Sequence, residues 1–111
     1  MGQVKDWNIY SVDLGMPFGS EQGQVRSAVA VKLVNGICII IPMTKTLLNL
    51  ERFSYTSRIK SDNKNNLNSD GVALVFQIRA IDLRRIGSEI GVLDQTYIDM
   101  LKAQIKDMFK I

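Results

Sequence analysis

The chain has 111 residues, 46% hydrophobic and 23% charged, which suits one soluble domain spanning residues 1–111. It carries a formal charge of +3, no histidine and a single cysteine, which excludes imidazole catalysis, the usual Cys/His zinc sites and an internal disulfide. The longest apolar run, Ile37 to Ile41, is five residues, and the opening Met-Gly-Gln-Val-Lys-Asp has no signal-peptide character, so a cytoplasmic protein without a membrane span is expected.

Taken in chain order, Trp7 to Leu14 reads as a strand with apolar residues on both faces. Trp7 and Tyr10 have the chemistry to stack on bases, but aromatics near a strand start more often pack. Gly15 to Gly23 (GMPFGSEQG) holds three glycines and a proline, too many for a regular element. Ala28–Val34 and Ile37–Pro42 flank Asn35-Gly36, the pair best suited to the positive φ angles of a type I′ turn, and predict a hairpin. Its second strand is expected to be central and buried on both faces, with Cys38 a small core residue.

Arg52 to Lys60 has the composition of a further strand, and Ser61 to Asp70 (SDNKNNLNSD) that of a polar loop. Gly71 to Arg79 (GVALVFQIR) is expected to be one strand, with Gln77 and Arg79 alternating against Phe76 and Ile78 and one of the two faces in the core. Arg79 is expected to pair with an acidic residue such as Asp82. Tyr97, Ile98, Leu101, Ile105, Met108 and Phe109 then fall on one face of a helix capped by Asp94. Lys102, Lys106 and Lys110 line another face, most simply as solvated charge. The elements predict a mainly β (α+β) fold, a curled antiparallel sheet forming a small barrel closed by a C-terminal helix.

Three segments together resemble the MazF/PemK toxin family. Pro17 to Arg26 (PFGSEQGQVR) is similar to the family's P-x-G-S-E-Q-G-x-x-R-P signature. Ile-Pro-Met-Thr44 resembles the threonine-ended strand after the hairpin, and Gly71 to Asp82 is similar to the Q-I-R-x-I-D segment. Order and spacing agree over roughly residues 8 to 108. The resemblance implies a small SH3-like barrel of the CcdB/PemK kind, acting as a homodimer. It implies a toxin that cuts single-stranded RNA (mRNA) without a metal or other cofactor, leaving 2′,3′-cyclic phosphate and 5′-hydroxyl ends, and a cognate antitoxin with an acidic disordered tail as partner.

The family's residues transfer position by position. Arg26 matches the arginine that would stabilise the phosphorane, a task suited to a planar charged fork. Thr44 matches the threonine whose hydroxyl would hold a nonbridging oxygen. The resemblance also implies an acid/base role for Arg26, against which stands a guanidinium's protonation at neutral pH; Glu21, the one carboxylate in the loop motif, is the alternative base, and the choice between them stays open. Ser20, Gln22, Gln77 and Arg79 are the candidate RNA contacts. Ser27 stands where relatives usually carry proline, Phe76 where they often carry an acid, and Ser20 where one branch has a histidine, so that branch's mechanism is not carried over. Two other readings use the same fold: a gyrase-poisoning CcdB-like binding protein, whose Trp-Gly-Ile ending is absent here, and a catalytically degenerate antitoxin-binding relative.

Overall fold

A computed structural model describes residues 3–15, 24–45 and 53–111. These form seven strands and one helix: β1 (Asn8–Asp13), β2 (Val25–Val34), β3 (Ile37–Thr44), β4 (Thr56–Ile59), β5 (Gly71–Leu74), β6 (Arg79–Asp82), β7 (Ile86–Val92) and α1 (Gln95–Phe109). The strands make one curled antiparallel sheet in the order β4-β5-β3-β2-β1-β7, with β6 also paired to β3.

The β2–β3 hairpin forms at Asn35-Gly36, whose φ angles of 52° and 77° are those of the expected turn. Cys38, Ile40 and Ile41 are fully buried, but Ile37 at the hairpin end is 45% exposed and Ile39 is half-buried, so burial on both faces begins only at Ile40 and Ile41. Cys38 sits in the core as expected, and burial pushes its thiol up to about 11.

The stretch Gly71–Arg79 is not one strand. β5 pairs with the end of β3 (Thr44 opposite Val72), a 3₁₀ turn occupies Val75–Gln77, and β6 resumes pairing with the start of β3 (Ile40 opposite Arg79). Pairing resumes displaced by the three residues of the turn. That insertion is the corner that lets β3 serve two parts of the curled sheet. Val75 turns into the core, whereas Phe76 turns out to 38% exposure against Phe53, at a ring separation of 6.0 Å. Phe76 is therefore not on a core face of a strand. The preceding strand is also shorter than expected: Tyr55 has φ 63°, outside the extended region, and β4 starts only at Thr56.

α1 begins where Asp94 accepts the Thr96 N–H at 3.1 Å, and ends at Lys110 in the left-handed region with φ 58°. Leu101 is fully buried against Ile9, Val29, Ile41 and Ile59, with Tyr97, Ile98, Ile105 and Met108 packed around it. Phe109 departs from the predicted face and is 54% exposed. Trp7 and Tyr10 pack. Trp7 lies against the core under the Lys102 ammonium, 5.7 Å from its ring centroid, and Tyr10 is 6% exposed.

The two ends of the strand path, β4 and β7, are joined by the polar loop 61–70. The Val92 N–H donates to the Lys64 carbonyl at 2.9 Å, and Asn66 Nδ2 donates to the Ile90 carbonyl at 3.2 Å. No helix among the described residues is long and apolar enough to cross a membrane.

Candidate functional site

Strand ends and one loop surround a cavity of about 670 Å³. β2 and β3 run antiparallel with Ala28 opposite Pro42, and continuing that register by two residues brings Arg26 towards Thr44. Both residues line the cavity, together with Lys45 just beyond β3. Thr44 is 7% exposed while Arg26 and Lys45 are open to solvent. Gly71 allows β5 to lie close beside Thr44: a Cβ there would stand 3.1 Å from the Thr44 carbonyl oxygen. The floor adds Ser11 and Ser27, paired across β1 and β2.

No acidic side chain is among the described lining residues, whose charged groups are the Arg26 guanidinium and the Lys45 ammonium. Nor do the described residues group three or more Asp, Glu or Cys side chains in a way that could hold a metal ion. The geometry offers a bound phosphate a charged fork from Arg26, a second charge from Lys45 and a hydroxyl from Thr44.

A second wall comes from loop 61–70, and its organisation is stricter than its composition suggests. Asn65 is fully buried. Its Oδ1 accepts from the N–H groups of Asp62 (3.0 Å) and Leu67 (3.1 Å), and its Nδ2 donates to the Lys60 carbonyl (2.9 Å). Its own N–H donates to Asp62 Oδ1 at 2.8 Å. At the loop's neck, Asp70 Oδ1 accepts the Ser61 N–H at 2.9 Å. Gly91 of β7 lies so close beneath that a Cβ would come within 2.2 Å of the Asn65 carbonyl oxygen. This framework presents Asn66, Leu67, Asn68 and Ser69 to the cavity.

The sequence-predicted residues divide three ways. Arg26 and Thr44 share the cavity. Glu21, Ser20 and Gln22 lie outside the described residues. Gln77 and Arg79 are half-buried and are not among the residues lining the cavity. Gln77 closes the 3₁₀ corner, and Arg79 does not pair with Asp82. Arg84 takes that carboxylate through two hydrogen bonds (2.9 and 3.0 Å), which holds the Asp82 pKa down at about 2. Arg79 Nη2 instead reaches the Leu14 carbonyl at 3.5 Å, and Arg85 Nη1 reaches the Asp13 carbonyl at 3.5 Å. Two arginines thus converge on the end of β1, where Leu14 N–H donates to the Gln24 carbonyl at 2.8 Å and closes the root of the glycine-rich segment. Sequence reasoning missed Lys45, Ser11 and the Asn66–Ser69 wall. The polar run was visible, but nothing in it marked which of its amides is a buried fastener and which face the cavity.

The sequence profile described as "PemK-like, MazF-like toxin of type II toxin-antitoxin system" matches residues 5–109. No individual protein of curated function matches the chain in sequence. Among solved structures, MazF from Deinococcus radiodurans is similar with a TM-score of 0.81 at 17% identity, covering 99% of this chain and 100% of that one. The Mycobacterium tuberculosis toxin MazF-mt6 gives 0.71 at 16% identity, covering 94% and 97%. A mycobacterial endoribonuclease solved in complex with its cognate antitoxin gives 0.74 at 10% identity, covering 98% and 97%. At these identities the structural likenesses speak for the fold.

Proposed function

Because the chain belongs to the PemK-like, MazF-like toxin family of type II toxin–antitoxin systems, we propose that it is a metal-independent endoribonuclease that cuts single-stranded RNA. The observation that carries this reading is the convergence of Arg26 and Thr44 on one concave surface that also holds Lys45 and, among the described lining residues, no acidic side chain.

The reaction needs no nucleophile from the protein. The ribose 2′-oxygen attacks the adjacent phosphorus as its proton passes to a base, and the bond to the 5′-oxygen breaks as that oxygen is protonated. The products are a 2′,3′-cyclic phosphate and a 5′-hydroxyl. Negative charge on the phosphorane rises during the attack, and a preorganised donor aimed at that charge lowers the barrier. Arg26 supplies two charge-assisted hydrogen bonds to it, and the hydroxyl of Thr44 holds a nonbridging oxygen. Lys45 anchors a neighbouring phosphate. Glu21 is the base that takes the 2′ proton, water supplies the proton to the leaving oxygen on the far side of the phosphorus, and Ser20 and Gln22 flank Glu21 in sequence as RNA contacts.

The chain acts as a single domain in the cytoplasm, as a homodimer. Its antitoxin lays an acidic disordered tail over the cation-bearing cavity, which charge complementarity favours. Purified protein incubated with single-stranded RNA and a chelator is expected to release fragments ending in cyclic phosphate, and Arg26→Ala to stop the release. Cutting that survives this substitution would overturn the mechanism.

A further inference from the structure

We infer that the Asn66–Ser69 segment is the base-reading wall of the cavity, with Asn68 and Ser69 setting which nucleotide is accepted beside the scissile phosphate. The inference rests on the endoribonuclease reading, and adds a specificity site that the charged residues cannot supply.

Arg26 and Lys45 recognise phosphate, which every nucleotide carries, so they confer affinity without preference. Preference requires groups that distinguish base edges, and for unpaired RNA these are side-chain amides and hydroxyls meeting splayed-out bases. Asn68 and Ser69 provide that chemistry in the lining of the cavity that Arg26 and Thr44 share. An asparagine amide presents one donor and one acceptor side by side, the pattern that matches a base edge with two hydrogen bonds. The volume of about 670 Å³ lies within the range of ligand-sized pockets, about 300–1,000 Å³, so it admits a nucleotide or two and not a duplex.

The second requirement for discrimination is rigidity, because a compliant wall accommodates the wrong base. Here the wall is fixed from below. Asn65 gathers three backbone groups with its side chain, and Asn66 Nδ2 is tied to the Ile90 carbonyl on β7. The residues spent on holding the loop are thus 62, 65, 66 and 70. Asn68 and Ser69 are exposed and take no part in that internal bonding. Their polar atoms are left for a ligand.

The test compares wild type, Asn68→Ala, the Asn68→Ala/Ser69→Ala double variant and Asn63→Ala, an exposed substitution in the same loop away from the cavity lining. Each is given a single-stranded RNA library randomised around one cleavable position, and cut sites are sequenced. The double variant is expected to lose discrimination at one nucleotide position by about 10-fold or more, which corresponds to the loss of one well-made base contact. Asn63→Ala is expected to keep the wild-type ranking. An unchanged ranking in the double variant, with wild-type cutting still dependent on Arg26, would overturn this inference and leave the nuclease reading standing. If wild type cuts no RNA in an Arg26-dependent way, the nuclease reading itself fails and the wall loses its ligand. Lost antitoxin binding with unaltered base preference would also overturn the inference, since the wall would then serve a protein.

Discussion

The two walls of the cavity are built on opposite terms. On one side, Arg26 and Thr44 sit near the ends of long paired strands, and their positions follow from sheet register. On the other, Asn66–Ser69 belong to a segment with no strand or helix, whose position follows from one buried amide and one close-packed glycine. The first wall derives its geometry from many equivalent backbone hydrogen bonds and its chemistry from charge. The second derives its geometry from a few side-chain bonds that have no substitutes. Removing a residue from the first should therefore change chemistry without harming the fold, whereas disturbing the base of the second should harm the fold first.

The largest effect expected on the strand-built wall comes from Arg26. Arg26→Ala should lower cleavage by about 10³-fold, near the upper end of what a lost charge-stabilising donor costs. Arg26→Lys should recover part of it, because it restores charge but not the two-pronged geometry. Urea unfolding of both variants should stay close to wild type. A large loss of stability in either would show that the side chain belongs to the framework instead.

The next effect belongs to the loop wall. Gly91→Ala drives a Cβ into the Asn65 backbone and should cost about 3 kcal/mol, the upper part of the range for overpacking. Asn65→Ala should cost about 2 to 3 kcal/mol by stranding the groups it bonds. Denaturant midpoints measure both, and wild-type midpoints would refute the fastening role of this pair.

Thr44→Val sharpens the comparison on the chemical side. It keeps the shape of a buried strand residue and removes one neutral hydrogen bond, so cleavage should fall about 10-fold, far less than for Arg26→Ala.

A separate effect is a pH dependence set away from both walls. Cys38 in β3 keeps its proton to about 11 in the fold, against an ordinary value of 9.0. Between those values the unfolded chain binds fewer protons than the folded one, so stability present below about 9 is lost as pH rises toward 11. Cys38→Ala should flatten that decline, and a maleimide should label wild-type protein at pH 8 only after unfolding.

The features with a local cause were the legible ones. Asn35-Gly36 announced its turn, the apolar runs announced β2 and β3, and Asp94 with the periodic Tyr97–Met108 face announced α1, because each is a local pattern with a local cause. The hidden features depend on long-range backbone contacts. β7 reads IGSEIGV, with two glycines and mostly exposed positions, and it forms because β1 pairs with it through two bulges. The 3₁₀ corner at Val75–Gln77 interrupts a stretch whose composition favours a strand throughout, since only the route of β3 requires the displacement. Arg79 was misassigned for a similar reason. Asp82 is three residues away in sequence, but Arg84 reaches it by a shorter path within the same turn, and Arg79 is left to face β1. Of the site, Arg26 and Thr44 were visible, whereas Lys45 and the residues carrying shape were not.

Joining β4 to β7 through a looped segment has an evolutionary corollary. A strand in that place would tie every residue to its neighbours, so any change of recognition surface would risk unzipping the sheet. With closure delegated to positions 65 and 91, the side chains at 68 and 69 can be exchanged as freely as surface decoration. A single scaffold can in this way diversify what it discriminates while its architecture stands still.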